Sequence, residues 1–315
     1  MKKILITGAS GFIGQSLCQV LSRSNYSVRG AIRSLNSFST NTDIEFVPVG
    51  DISLKTNWKD VLEDIDCVIH CAGRAHITNE LETDPLKAYQ LVNVEGTRRL
   101  AEQSIKAGIK RFIFLSSVGV LGIHTNERSP FSINDNPNPV EDYAISKLEA
   151  ENVLFNLSNK TDLDVVVLRT PLVYGPNAKG NISRLLKLLN YGIPLPFGSI
   201  INQRSMIGLD NMVDLLIRCI EHPDAAGKTF LVSDGNDLST PEFINHIASS
   251  MGYTSRIFST PIFLLKLVGF LLGKQKEIDR LVGSLKVDSS YVQKTLKWIP
   301  PVSVAEGIKR MVKGK

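Results

Sequence analysis

The segment from Lys2 to Gly14, KKILITGASGFIG, constrains the fold of this chain more than any other. Ile4, Leu5 and Ile6 form a short apolar run suited to a strand buried on both faces, as in a parallel sheet. Gly8, Gly11 and Gly14 then open a helix predicted to run to about Ser22. In a strand–turn–helix of this kind the first glycine allows the tight turn and the second lets the backbone approach a pyrophosphate. The third allows close helix–strand packing. The N–H groups at the helix start, around Phe12 and Ile13, then face the phosphates. The spacing is GxxGxxG rather than GxGxxG, so the triplet alone also suits a plain tight turn. Lys2 and Lys3 are followed by only three strongly apolar residues, which excludes a secretory signal.

Short apolar strands and amphipathic helices alternate beyond this turn. Strands are expected at Lys3–Thr7, Ser27–Ile32, Glu45–Val49, Cys67–Cys71, Arg111–Ser116 and Asp164–Arg169. Helices are expected at Phe12–Ser22, Leu86–Ala107 and Ser146–Leu157. The alternation predicts an α/β fold, a Rossmann-type doubly wound parallel sheet with ligands at the carboxyl ends of its strands. From Pro171 the rhythm changes: Pro and Gly become frequent through Gly175–Gly198, and helices predominate after Pro241. The expected division is a dinucleotide-binding domain over residues 1–175 and a smaller, mainly helical substrate domain over 176–315. Residues 209–234, with elements at Leu209–Glu221 and Lys228–Ser233, are expected to pack back on the first domain.

The end of the second strand bears on which dinucleotide binds. NAD-selective sites commonly end this strand in Asp or Glu, which binds the ribose 2′-hydroxyl. Ile32 stands there, followed by Arg33, with Arg29 two pleats earlier. A cation at the ribose suits a 2′-phosphate, so NADP(H) is favoured and NAD(H) is allowed. Arg33 as a solvated loop residue is the competing reading.

The candidate chemistry lies in Asp142-Tyr143-Ala144-Ile145-Ser146-Lys147. Tyr143 and Lys147 are four residues apart, so on a helix they share one face. A phenol titrates near ~10 and is a poor proton carrier at neutral pH, and a neighbouring ammonium favours the phenolate. The same spacing occurs on many helix surfaces. Its weight comes from following a glycine-rich turn and the Ser116-Ser117 pair that ends a mid-chain apolar run.

Composition narrows the function classes. The 315 residues are 43% apolar, enough for a sizeable core, and mean hydropathy is near zero. A net charge of +5 is spread without a basic block, which argues against nucleic acid. Cys18, Cys67, Cys71 and Cys219 form no CxxC pair and no cluster with His, so no metal site and free thiols in a cytoplasmic protein are expected. The stretch Thr260 to Gly273, TPIFLLKLVGFLLG, is apolar but too short to span a bilayer. A buried helix, or one at a dimer or domain contact, is the expectation, with a peripheral membrane contact as the alternative.

Taken together, these motifs resemble the extended short-chain dehydrogenase/reductases, the NAD-dependent epimerase/dehydratase family, over nearly the whole chain. The resemblance rests on TGASGFIG and YAISK, on Val49-Gly50-Asp51, on Val68-Ile69-His70-Cys71-Ala72-Gly73, on Asn93 in NVEGT and on Phe114-Leu115-Ser116-Ser117. It implies cofactor contacts at Asp51, beside Ile52, for the adenine, and at Cys71, Ala72 and Gly73. Asn93 becomes a structural residue behind the site, with Ser116 near the cofactor. Aligning Val120-Leu121-Gly122 on the family's VYG selects Ser117 as the catalytic hydroxyl. The segment LRTPLVYGP, with Pro171 and Val173, resembles the one that passes the nicotinamide.

The second half resembles the branch acting on nucleotide-diphosphate sugars. Asn181, Arg204 and Arg280 match positions that bind the diphosphate, and Phe197 in PLPFG lies near the uracil position. PLPFG, FLVSDGNDLST, RLVGSL and WIPPVSVAEGI are most similar to bacterial reductases of UDP-2-acetamido-2,6-dideoxy-4-hexuloses that serve O-antigen synthesis. Where the sugar dehydratases carry an acidic pair, this chain has Val118 and Gly119, which cannot protonate a leaving hydroxyl. The resulting expectation is an enzyme, an NAD(P)H-dependent reductase of a UDP-linked 4-keto deoxy sugar. Tyr143 gives the proton, Ser117 hydrogen-bonds the same oxygen, and Lys147 lowers the Tyr pKa and binds the nicotinamide ribose. A UDP-hexose 4-epimerase is the alternative, and a non-catalytic dinucleotide-binding regulator is a third, although such proteins tend to lose the Tyr or Lys. An apolar ketone substrate would leave Arg204 and Arg280 unpaired. A homodimer through Leu86–Ala107 and Ser146–Leu157 is allowed by analogy with relatives.

Overall fold

The computed structural model describes residues 1–35, 43–75 and 82–314. Seven strands form one parallel sheet: β1 (Lys2–Thr7), β2 (Tyr26–Ile32), β3 (Ile44–Pro48), β4 (Cys67–His70), β5 (Arg111–Ser117), β6 (Asp164–Thr170) and β9 (Lys228–Leu231). Their order is β3-β2-β1-β4-β5-β6-β9. The chain builds outward from β1 through β2 to β3, then returns to the other side of β1 with β4. The order therefore reverses beside β1, and a doubly wound sheet opens its ligand crevice outside the carboxyl ends at that point.

Period-two alternation divides the sheet between two cores. Ile4 and Ile6 of β1 pack with Leu17, Cys18 and Leu21 of α1 (Phe12–Ser22) and with Met212, Leu215, Leu216 and Cys219 of α6 (Leu209–Glu221). Leu5, between them, faces the opposite core with Leu100 and Ala101 of α3 (Thr97–Lys106) and Ala150 and Leu154 of α4 (Asp142–Ser158). The spacing 212, 215, 216, 219 is one helical stripe, which is why α6 lies flat on the sheet. Residues 209–234 thus contribute a covering helix and the edge strand β9. A third core joins Tyr174, Ile182 and Leu189 to Ile244, Ile247, Ile308 and Met311. It gathers α5 (Asn181–Asn190), α7 (Thr240–Ser250) and α11 (Val304–Lys313) around a two-stranded parallel sheet of β7 (Leu172–Tyr174) and β8 (Met206–Gly208).

Three expectations change. The helix expected over Leu86–Ala107 is three pieces: α2 (Pro85–Gln90), a π-helical segment at Leu91–Gly96, and α3. The extra residue of the π segment falls around Asn93, whose side chain is held by tertiary bonds rather than by helix periodicity. Helix α4 begins at Asp142, four residues earlier than expected, so Tyr143 sits in its first turn. Finally, α8 (Ile262–Leu271) is not buried: Leu265 and Gly269 are covered, while Phe263, Leu264, Leu267, Val268, Phe270 and Leu271 are exposed. Among the described residues no helix is long and apolar enough to cross a membrane.

Candidate active site

The glycine-rich turn leaves β1 at the sheet's reversal point. Gly8 has φ of +65°, a conformation costly for a side chain, and a Cβ there would lie 2.8 Å from the Ala72 amide nitrogen. A Cβ on Gly14 would strike the Gly8 carbonyl, so the third glycine presses α1 against the turn. Gly11 is the N-cap, extended and without a side-chain cap, and no acidic residue occupies the first turn of α1. The amides near Phe12 and Ile13 are therefore left to an anion, and this cradle fits a dinucleotide pyrophosphate.

Thr7 and the β4 end are tied together by a directional chain. The Ala72 amide donates to Thr7 Oγ1 (3.3 Å), and Thr7 Oγ1 meets His70 Nδ1 (2.6 Å). His70 Nε2 meets Thr97 Oγ1 (2.9 Å), and that hydroxyl donates to the Asn93 carbonyl (2.6 Å). Because Thr97 spends its proton on Asn93, it accepts from His70, which therefore carries its proton on Nε2 and accepts from Thr7 at Nδ1. Burial, with a smaller effect of Lys147, pulls the His70 pKa down to about 3, so the ring stays neutral.

Asn93 clamps the next layer. It accepts from the Arg74 amide (2.8 Å) and donates to the Arg74 carbonyl (3.1 Å) and to Ser146 Oγ (3.0 Å). Ser146 in turn donates to the Tyr143 carbonyl (2.8 Å), which fixes the first turn of α4. Gly73 lies in this layer, where a Cβ would be 3.1 Å from Asn93 Oδ1 and 4.0 Å from Lys147 Nζ.

Tyr143 and Lys147 project from this turn. Tyr143 stacks edge-on to Tyr89 at 6.1 Å between centroids, and Lys147 Nζ lies 3.9 Å from the Phe114 ring centroid. Tyr143 departs from the expected lowering. Burial, helped by Tyr89, pushes the Tyr143 phenol up to about 12. Burial pulls Lys147 down to about 7, opposed by Glu151 and Cys71. Desolvation penalises either charge more than the helical spacing rewards it, so this chain's own groups do not produce a phenolate.

The two serines of β5 separate clearly. Ser116 is buried and donates a short bond to Glu151, which is itself buried and paired with Arg169 at 2.7 Å. Ser117 is half-buried and accepts from the Gly119 amide (3.1 Å), which leaves its own proton free. A Cβ on Gly119 would lie 3.3 Å from Ala144 Cβ, so the Ser117 turn abuts the start of α4 beside Tyr143. Val118 and Gly119, the non-acidic pair, form that turn. Glu151 and Arg169 were not singled out from the sequence. The available signal was that Glu151 lies four residues beyond Lys147, on the same helical face.

On the nucleotide side, Arg33 pairs with Asp51 at 2.9 Å, both side chains largely exposed. Arg29 does not reach the ribose position: it is buried, donates to the carbonyls of Asp60, Val61 and Glu63, and pairs with Glu45 at 2.9 Å. Ile52 packs against the π segment, where a Cβ on Gly96 would lie 2.6 Å from its Cγ2. Pro171 is buried after β6, and Val173 is half-buried in β7.

The second half brings Arg204 and Arg280 together. Arg204 Nη1 donates to the carbonyls of Arg280 (2.6 Å) and Gly283 (3.0 Å). Burial, and then the charge of Arg280, lowers the Arg204 pKa. Arg280 belongs to α9 (Gln275–Val282) and makes a short ion pair with Glu141, the N-cap of α4. Asn181 is exposed as the first residue of α5 and bonds neither arginine among the described residues. Phe197 is half-buried and packs against the third core.

Residues 4–233 match the NAD dependent epimerase/dehydratase family. The chain belongs to that family. It is 43% identical over 311 residues to a UDP-glucose 4-epimerase of Vibrio cholerae, covering 98% of this chain and 94% of the relative. It is 24% identical to the N-acetyl-alpha-D-glucosaminyl-diphospho-ditrans,octacis-undecaprenol 4-epimerase of Escherichia coli O157:H7, over 98% of this chain and 93% of that one. Its fold is shared with the UDP-glucuronic acid 4-epimerase of Bacillus cereus, solved in complex with NAD: TM-score 0.79 and 23% identity, covering 99% of this chain and 98% of that one. As a member of this epimerase/dehydratase family the chain is an enzyme of the short-chain dehydrogenase/reductase type.

Proposed function

We propose that this chain is a UDP-hexose 4-epimerase that works with bound NAD(H). The observation that carries the reaction type is the likeness to the Vibrio cholerae UDP-glucose 4-epimerase along almost the whole of both chains. The Arg204–Arg280 pair supports the substrate class. Arg204 has no acidic partner among the described residues and lies beside Arg280, so a diphosphate would supply the missing counter-charge. Through Glu141 this anion site is bonded to the helix that carries Tyr143.

Gly8, Gly11 and Gly14 admit the pyrophosphate, and Lys147 holds the nicotinamide ribose. Bound NAD supplies reversible two-electron oxidation at the sugar C4 and, when oxidised, a positive ring charge that favours the Tyr143 phenolate. Tyr143 takes the proton from the C4 hydroxyl and returns it to the oxygen of the inverted centre. The free Ser117 hydroxyl donates to that oxygen while it lacks its proton. Cofactor choice follows Arg33: its charge is already met by Asp51, which favours NAD(H) over the NADP(H) expectation. The reductase of a UDP-linked 4-keto sugar is the second reading, favoured by Ile32 standing where a ribose-binding acid is usual in NAD-selective sites.

The substrate class is tested at Arg204. Arg204→Lys replaces a two-pronged contact by a point charge, so the KM for UDP-glucose rises and inhibition by UDP weakens, while NAD affinity is unchanged. Arg204→Ala gives the larger effect of the same kind. Wild-type protein that UDP does not inhibit would remove the nucleotide-sugar assignment.

A further inference from the structure

We propose that α8 anchors this protein at a bilayer surface bearing anionic headgroups. An apolar helix on a soluble fold normally turns its stripe inward, but α8 turns outward. Phe263, Phe270 and Leu271 are 67%, 67% and 72% exposed, and Leu272 just beyond the helix is 69% exposed. On the helical wheel these residues, with Leu264, Leu267 and Val268, cover one continuous outward arc. The opposite edge carries Leu265 and Gly269, the covered positions.

Helix α9 packs closely on the covered edge of α8. A Cβ on Gly269 would lie 2.6 Å from Ile278 Cγ1, so glycine lets α9 close directly on α8. The Lys274 amide caps the hairpin by donating to the Gly269 carbonyl (2.7 Å). At about 1.5 Å per residue, the ten residues of α8 extend about 15 Å. That is half of a hydrocarbon core about 30 Å thick, which suits a helix lying in the interface rather than one crossing it.

Charge selects the occupant. From Arg256 to Asp279 the chain carries four basic residues, Arg256, Lys266, Lys274 and Lys276, against two acidic ones, Glu277 and Asp279. Lys266 reaches Asp279 at 3.7 Å and Lys274 reaches Glu277 at 3.4 Å. Lys276 has no acidic partner among the described residues. An apolar arc edged by lysines matches acyl chains below anionic headgroups.

Flotation of the full chain with phosphatidylglycerol–phosphatidylethanolamine vesicles tests the proposal, with phosphatidylcholine vesicles as the neutral comparison. The protein floats with the anionic vesicles and not with the neutral ones, and raised salt weakens binding. Phe270→Glu combined with Leu271→Glu lowers partitioning at least about tenfold. Lys274→Glu combined with Lys276→Glu lowers it on anionic vesicles, and Ile299→Glu, at an exposed site outside the hairpin, leaves it unchanged. UDP-glucose turnover in solution survives all of these, so failure of the epimerase reading and failure of the anchor are separate results. No flotation, or equal flotation with neutral vesicles, overturns the proposal. A wild-type dimer that becomes monomer in the Phe270→Glu, Leu271→Glu protein also overturns it, since a second copy then covers the patch.

Discussion

Tyr143→Phe leaves a folded protein that binds NAD and UDP-glucose normally and turns over about 10²–10⁴-fold more slowly, the range for loss of a positioned acid–base group. The substitution keeps the ring that packs edge-on against Tyr89, so the fold does not change. The loss falls on kcat, because the proton moves only at the chemical step. A variant with near-normal kcat would remove Tyr143 from the mechanism. Lys147→Met differs in kind: it weakens NAD binding as well as turnover, since the ammonium serves both.

The second large effect is on stability, at Glu151. Its carboxylate is buried, pairs with Arg169 and accepts from Ser116. Glu151→Ala leaves the Arg169 guanidinium charged and uncompensated in the interior, which costs about 3–5 kcal/mol. Replacing both partners by apolar residues of similar size, Glu151→Leu with Arg169→Met, costs much less, because no charge remains to be solvated. Urea unfolding of the three proteins decides the point. Equal losses for the single and double variants would mean that packing volume, not the buried charge, sets the stability here.

What could be read from the sequence was local. Ile4-Leu5-Ile6 and the glycine triplet carry their own geometry, so β1, the turn and α1 are legible within a window of about twenty residues, as in a strand–turn–helix fingerprint. Tyr143 and Lys147 are legible for the same reason, since helical spacing alone puts them on one face. The missed features depend on partners distant in the chain. Arg29 and Arg33 look alike as basic residues around β2, but one is consumed by carbonyls of 60–63 and the other by Asp51. Glu151 on α4 and Arg169 on β6 carry no local mark of their pairing, which forms only when α4 packs over β5 and β6. The π segment at Leu91–Gly96 is hidden because apolar periodicity runs through it, and the bonds to Arg74 and Ser146 are made by tertiary contact. For α8 only the buried alternative fails, because apolar content signals burial only where a neighbour covers it, and α9 covers one edge.

The most direct measurement follows the fate of a label at the sugar C4. UDP-glucose carrying deuterium at C4 is incubated with the purified protein and NAD at no more than enzyme concentration, and the products are read by NMR. The account predicts UDP-galactose at equilibrium with UDP-glucose, the deuterium retained at C4, and no net accumulation of reduced cofactor. Unchanged UDP-glucose would contradict it, and a parallel reaction in which a UDP-linked 4-keto sugar is reduced at the stoichiometric expense of NADPH would make the protein a reductase.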